Sequence, residues 1–203
     1  MAVDPATLAG LAALDTATVY EASGLDCACE PELAAVWVGA KVCGPAFTVE
    51  CRPGDNLALH RALDLVEPGQ VLAVQAHGFL AGHWGEILAV AAQERGVAGL
   101  VIEGGLRDLD ALRERGFPAF STGRSVRRTT KHDPGVFGGQ IRLGGVAVDP
   151  GDVILGDTDG VVVVPADHAA EILAAGRDRA EAEADYFRRL GAGESTLDIY
   201  GFR

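Results

Sequence analysis

The stretch WGEILAVAAQERGVAGLVIEGGLRDLDALRERGFPAF, residues 84–120, decides the fold. Ile87, Leu88, Ala91 and Ala92 recur at helical spacing, so Trp84 to Arg95 reads as a helix that Gly96 stops. Leu100-Val101-Ile102 is a short, continuously apolar run of the kind found in buried strands. Asp108 to Arg115 then reads as a second helix ended by Gly116, and Phe117 to Phe120 as a further strand. With Val71 to Ala76 as the preceding strand, the middle of the chain alternates β-α-β-α-β, the pattern of an α/β sheet.

Working outward, Pro5 suits the first turn of one short helix, and Asp15 or Thr16 the cap of a second that runs to Ser23 and stops at Gly24. Val42 to Cys51 is strand-like but carries Gly44-Pro45, which predicts a bulge or an edge. Pro53-Gly54-Asp55-Asn56 reads as a turn and cap leading into a helix over 57–66. Beyond residue 140, Ile141 to Leu143, Val146 to Val148, Val153 to Leu155 and Val161 to Val164 are short strands separated by Gly- and Asp-rich turns. Residues 167–190 read as one long polar helix, and the last dozen as a tail able to dock on a neighbour. No linker or internal repeat interrupts the 203 residues, so a single domain is expected.

A formal charge of −12 opposes binding of a phosphate backbone by the surface as a whole. Within that acidic field, Arg124, Arg127, Arg128 and Lys131 fall in eight residues. They suit a lip that attracts an anionic substrate, and equally a subunit contact or a solvated loop. No apolar run is long enough to span a bilayer, and the N-terminus lacks the basic and apolar regions of a signal peptide. A cytoplasmic protein with no membrane partner is expected. Cys27, Cys29, Cys43 and Cys51 are read as reduced thiols, with zinc on Cys27 and Cys29 as the lesser alternative.

The chemistry is expected around Trp84-Gly85-Glu86-Ile87-Leu88 and Leu100 to Asp108. The second segment is read as a buried strand followed by a glycine-rich turn, with Arg107 and Asp108 past the strand's C-terminal end, where α/β sheets hold ligands. Unpaired first-turn amides near Glu86, Ile87 and Leu88 are suited to a carboxylate. Arg107 offers a donor fork to a carboxylate or keto oxygen. Asp108 is a hard ligand for Mg²⁺ or Mn²⁺ that keeps several waters. A surface ion pair, or a helix cap, accounts for the same two residues. Glu86 likewise fits as an acid complementing a helix dipole. His77 and His83 flank a turn before the helix, as proton donors or plain loop residues. No phosphate-binding glycine loop, S-adenosylmethionine-type loop or serine-hydrolase elbow is present.

Gly44-Pro45-Ala46-Phe47-Thr48-Val49, Pro53-Gly54-Asp55-Asn56, Trp84-Gly85-Glu86, Arg95-Gly96-Val97-Ala98-Gly99 through Arg107-Asp108, and Pro150-Gly151-Asp152 through Pro165 occur in this order. Together they resemble the class II pyruvate aldolases that cleave 4-hydroxy-4-methyl-2-oxoglutarate and 4-carboxy-4-hydroxy-2-oxoadipate. The same pieces resemble the non-enzymatic regulators of ribonuclease E activity, a group often labelled demethylmenaquinone methyltransferase-like. The resemblance implies a compact α/β sandwich like a swivelling phosphohistidine domain, with mixed sheet and flanking helices, assembled as a homotrimer or homohexamer with sites between subunits.

It further implies that Asp108 binds the metal, Arg107 holds the oxo acid, and the amides of Ile87 and Leu88 hold its carboxylate. Glu86 would orient or deprotonate a water on the metal, and Glu183 of a neighbouring subunit would complete the acid–base set. The expected reaction is retro-aldol release of pyruvate, with oxaloacetate decarboxylation as a side activity. The alternative is a non-enzymatic regulator that binds a ribonuclease or another protein. Glu103, where the family often has aspartate, and Ala111, where it often has an acid, depart from the pattern.

Overall fold

The computed structural model describes residues 2–203. Helices α1 (Pro5–Ala12) and α2 (Thr16–Ser23) precede strands β1 (Ala34–Ala35) and β2 (Val42–Glu50). The alternating middle follows as α3 (Leu57–Ala62), β3 (Val71–Gln75), α4 (Glu86–Glu94), β4 (Gly99–Leu106), α5 (Leu109–Glu114) and β5 (Ala119–Arg124). Strands β6 (Val136–Phe137), β7 (Ile141–Leu143), β8 (Val146–Val148), β9 (Val153–Gly156) and β10 (Val161–Val164) come next, and α6 (Ala169–Gly191) and α7 (Thr196–Ile199) end the chain.

The result is a mixed α/β fold with flanking helices. Its main sheet has the order β1-β5-β4-β3-β2-β9-β10, with β6 also on β2. Strands β2 to β5 run parallel, whereas β1, β6, β9 and β10 pair antiparallel with their neighbours. Strands β3 and β4 at the centre are buried on both faces, as continuous apolar runs require. Along β4, Leu100 and Ile102 enter one core with Trp84, Leu88, Leu112 and Phe117, while Val101 enters a second with Phe120, Ile141 and Leu143. A third core lies between α1, α2 and α6 and the strands β9 and β10.

The caps follow the sequence. Asp4 accepts from the N–H groups of Ala6 and Thr7 at 3.0 Å, with Pro5 in the first turn. Of the two candidates for α2, Asp15 is the cap, and Gly24 ends the helix in the left-handed conformation at φ 61°. Thr16 is bound instead by Asp157, through its N–H at 2.9 Å and its hydroxyl at 2.7 Å. That contact ties α2 to the β9–β10 turn.

Three expectations change. Gly104 and Gly105 form no turn: they belong to β4, which continues to Leu106 across a register shift against β5. Glycine serves close approach here. A Cβ on Gly105 would lie 2.6 Å from the Ala81 carbonyl oxygen, and one on Gly104 would lie 2.8 Å from the Ala76 Cβ. Gly44-Pro45 makes no bulge, and its edge is a local one. It sits inside β2, where Val42 to Pro45 pair with β9 before Ala46 to Glu50 pair with β3. Pro45 lies before the pairing with β3 begins, where its missing N–H is tolerated. The helix expected over 57–66 ends at Ala62 and continues as turns. The C-terminal residues form α7, and Tyr200 meets Tyr186 of α6 at a ring separation of 5.5 Å within the same chain. Among the described residues no helix is long and apolar enough to cross a membrane.

The packing of Gly105 sets a measurable expectation. Gly105→Ala should lower stability by about 1–3 kcal/mol in urea unfolding, because the loop above must lift or strain. Gly139→Ala, where a Cβ meets nothing within 4 Å, should stay within about 0.5 kcal/mol.

Candidate functional site

The end of β4 and the start of α4 meet side by side. Trp84 bridges to Leu106, and the Arg107 N–H donates to the Trp84 carbonyl oxygen at 3.0 Å. The next residue, Asp108, adopts the left-handed conformation (φ 61°, ψ 38°) at the N-cap of α5 but makes no side-chain cap there. Its Oδ2 instead accepts from the Glu86 N–H at 3.0 Å, capping α4 from outside, with Arg107 Nε 3.7 Å away. Gly85 permits this, since a Cβ at that position would overlap Asp108 Oδ2. Gly82 does the same for Arg107, whose Cδ would lie 2.9 Å from an added Cβ.

Two amides are left over at the start of α4. The Glu86 N–H is taken by Asp108 and the Ala89 N–H by the Gly85 carbonyl, whereas those of Ile87 and Leu88 have no acceptor among the described residues. Both residues, with Gly85, Arg107 and Asp108, line a cavity of about 140 Å³. The structure therefore brings Arg107, Asp108 and the Ile87 and Leu88 amides together. A larger hollow of about 270 Å³, lined by Leu14, Lys41 and Cys43 among others, lies elsewhere.

Other proposed residues stand differently. The Glu86 carboxylate is held by Arg115, whose Nε and Nη2 donate to Oε1 at 2.9 and 2.7 Å. Glu183, on α6, accepts from Arg179 at 3.0 Å, and Arg179 also pairs with Glu21. No residue of α6 lines the Arg107 cavity, so one chain does not bring Glu183 to it. Glu103 accepts from the Gly144 N–H at 3.2 Å and holds the β7–β8 turn. His77, at φ 53°, pairs with Glu50 at 3.3 Å beside a separate hollow with Arg52 and Asp133.

His83 lines the cavity, yet both ring nitrogens are engaged. Nε2 accepts from the Gly54 N–H at 3.1 Å, and Nδ1 lies 3.3 Å from the Gly105 carbonyl oxygen, which only a protonated Nδ1 can satisfy. The ring is thus neutral, and burial pushes its pKa below the ordinary 6.5. His60, at the same cavity, is also lowered, by burial and then by the charge of Lys131.

Of the basic run, Lys131 reaches the cavity, whereas the Arg127 guanidinium lies 6.0 Å over the Phe79 ring and Arg124 lines a hollow beside β5. Asn56 and His60 are cavity residues that the sequence pattern leaves as cap and helix. The Asn56 Nδ2 donates to the His83 carbonyl oxygen at 2.9 Å, while its neighbour Asp55 accepts from Leu57 N–H, the Thr130 hydroxyl and His132 N–H. Burial raises the Asp55 pKa, but these bonds outweigh it and hold the carboxyl at about 2.

Among the described residues no three His, Cys, Asp or Glu side chains converge on a metal position. Among the described residues, none hydrogen-bonds to Asp108 Oδ1. One hard oxygen beside an open cavity fits Mg²⁺ or Mn²⁺, which retain water and accept ligand oxygens. Burial pushes the Cys29 thiol up to about 12 and raises that of Cys27, and among the described residues no set of three His, Cys, Asp or Glu side chains gathers around them.

The RraA-like family, described as Aldolase/RraA, matches residues 16–163. A Halalkalibacterium halodurans protein provisionally named a 4-hydroxy-4-methyl-2-oxoglutarate aldolase is 37% identical over 134 residues, which are 66% of this chain and 64% of that one. The chain thus spans just under two thirds of that relative's length. The crystal structure of an uncharacterised protein from Pseudomonas syringae pv. tomato superposes with a TM-score of 0.90 at 27% identity, covering 100% of this chain and 96% of that one. Streptomyces coelicolor RraAS2, described as an unusual member of the RNase ES inhibitor RraA family, superposes with a TM-score of 0.79 at 31% identity, over 92% and 99% of the two chains.

The buried His83 and the half-buried His60 predict a pH dependence. A histidine whose folded pKa is depressed favours the native state above its unfolded value of 6.5, and that stability is lost as pH falls through the folded value. The urea midpoint should therefore fall between pH 7 and pH 5 at constant ionic strength, and a flat profile would contradict the neutral His83 assignment.

Proposed function

The chain belongs to the RraA-like (Aldolase/RraA) family, and from that premise we propose that it is a divalent-metal-dependent lyase. Its substrate would be a 4-hydroxy-2-oxo dicarboxylic acid, such as 4-hydroxy-4-methyl-2-oxoglutarate, cleaved to release pyruvate. The observation that carries this reading is the convergence in one cavity of the Arg107 guanidinium, two unpaired α4 amides and an Asp108 oxygen with no partner.

The roles follow from charge. The substrate's C1 carboxylate sits on the Ile87 and Leu88 amides, at the positive end of α4. Arg107 faces the C2 keto oxygen. Loss of the C4 hydroxyl proton lets the C3–C4 bond break, its electron pair becoming the enolate of pyruvate while C4 becomes a carbonyl carbon. A proton delivered to C3 completes pyruvate. Arg107 stabilises charge that appears on the C2 oxygen only as the bond breaks, which is how a fixed cation accelerates the step. Mg²⁺ or Mn²⁺ held by Asp108 would supply Lewis-acid stabilisation of that same oxygen. Lys131, at the cavity, suits the distal carboxylate of the substrate. Decarboxylation of oxaloacetate generates the same enolate and is the expected side activity.

For the proton, Glu86 is available once its pair with Arg115 opens. Glu183 of a neighbouring subunit is the second acid in a homotrimer or homohexamer with shared sites. Its half-buried position in an ion pair on the outer helix is compatible with presentation to another copy. A non-enzymatic regulator that binds a ribonuclease is the second reading, supported by the likeness to Streptomyces coelicolor RraAS2. It predicts co-purification with such a ribonuclease and no turnover.

Pyruvate release from 4-hydroxy-4-methyl-2-oxoglutarate, followed with Mg²⁺ and with a chelator, tests the lyase reading. Asp108→Ala should reduce kcat/KM by about 10²–10³-fold or more, without loss of the fold, and Arg107→Lys should act mainly on kcat. Chelator-resistant turnover, or full activity in Asp108→Ala, would sink it.

A further inference from the structure

Helix α3 turns Ala58, Leu59 and Ala62 into the core, each no more than 1% exposed. That apolar face fixes the helix and leaves the half-buried His60 on the wall of the Arg107 cavity, together with Lys131. The backbone ties their two segments together. The Thr130 N–H donates to the Gly54 carbonyl oxygen at 2.9 Å, and the Asn56 N–H to the Thr130 carbonyl oxygen at 3.0 Å. Among the described residues no hydrogen bond or ion pair engages the His60 ring. Burial and then the charge of Lys131 favour the neutral imidazole, and a neutral ring keeps one nitrogen free to accept a proton.

Retro-aldol cleavage needs a base for the C4 hydroxyl, and the other groups around the cavity are committed. Both nitrogens of His83 are held by Gly54 and Gly105. Arg107 and Lys131 carry positive charge, and Asp108 Oδ1 is the proposed metal ligand. Glu86 does not line the cavity, and its carboxylate lies against Arg115. The proposed binding mode also puts the hydroxyl on the right side. With the C1 carboxylate on the Ile87 and Leu88 amides and the distal carboxylate at Lys131, C4 lies at the end of the cavity that His60 shares with Lys131. A cavity of about 140 Å³ leaves a bound dicarboxylic acid little room to stand clear of that wall.

We propose that His60 is the catalytic base that removes the C4 hydroxyl proton of the bound hydroxy-oxo acid. The assignment rests on the lyase reading for the substrate class. The free ring nitrogen takes the proton as the O–H bond breaks. The oxygen's electron pair then forms the C4 carbonyl, and the pair of the C3–C4 bond passes into the pyruvate enolate. The imidazolium releases its proton to water, which the neighbouring charge of Lys131 favours, and C3 is protonated separately.

Oxaloacetate isolates this step, because its decarboxylation forms the same enolate with no hydroxyl proton to remove. Cleavage of 4-hydroxy-4-methyl-2-oxoglutarate and decarboxylation of oxaloacetate are followed in the whole protein with Mg²⁺. His60→Gln should lower kcat for cleavage by about 10²-fold or more, and the ratio of cleavage to decarboxylation by about tenfold or more. An unchanged ratio with both rates retained overturns the role of His60 and leaves the lyase reading standing. Should both reactions fall together, imidazole added to His60→Ala decides: selective recovery of cleavage upholds the assignment, and no recovery overturns it. Wild type that cleaves no hydroxy-oxo acid sinks the lyase reading, and the assignment with it.

Discussion

Ala76 lies directly on Gly104 of β4, and the Leu80–Ala81 backbone on Gly105, closer than a side chain on those glycines would allow. Gly105 donates to the Phe79 carbonyl at 3.1 Å, and its own carbonyl accepts from the His83 N–H at 3.1 Å. From this contact the rest of the site takes its place. It sends the chain past Gly82, whose N–H donates to the Arg127 carbonyl at 2.7 Å, buries His83, and sets Trp84 against Phe117 inside the core. Helix α4 can then begin only where its first-turn amides face the end of β4. A bulkier residue in β4 would act on the site through this loop, without touching a ligand.

The site divides its hydrogen-bonding capacity sharply. Asp108 satisfies one α4 amide and leaves two, and Arg115 holds the Glu86 carboxylate away from them. His83, a natural suspect for proton transfer, is spent on two backbone groups and serves as a rigid spacer between the Gly54 turn and β4. Its immobility lends the carbonyl that orients Asn56 a fixed position. Rigid placement of this sort is what allows few polar groups to select a ligand.

Much of this was legible in the residues. The β3-α4-β4-α5-β5 core follows from apolar runs broken by glycine stops, because strands buried on both faces and helices of moderate length leave clear periodicity. Arg107, Asp108 and the Ile87 and Leu88 amides were legible too, since a strand end and a helix start mark positions rather than contacts. Gly104 and Gly105 were misread, as paired glycines signal either a turn or close approach, and only the path of residues 79–83 distinguishes them. Asn56 was hidden behind Asp55: in Pro53-Gly54-Asp55-Asn56 either residue could cap α3, and which one is released depends on the distant partners Thr130 and His132. The two-residue strands β1 and β6 are too short to carry a pattern. Glu183 could be placed only by a resemblance, because no spacing within one chain encodes a meeting between copies.

The backbone of Asp108 limits what can stand there. In the left-handed region glycine is free of strain, aspartate and asparagine are tolerated, and other side chains are penalised. Of those three residues a single one carries an ionised carboxylate. A change to glycine or asparagine would spare the turn itself, though glycine would also give up the bond from the Glu86 N–H, and either would remove the carboxylate charge from the cavity. On the proposed lyase reading, the turn lets one scaffold shed its chemistry by a single substitution that spares the backbone, so that catalyst and inert binder would be near neighbours in sequence.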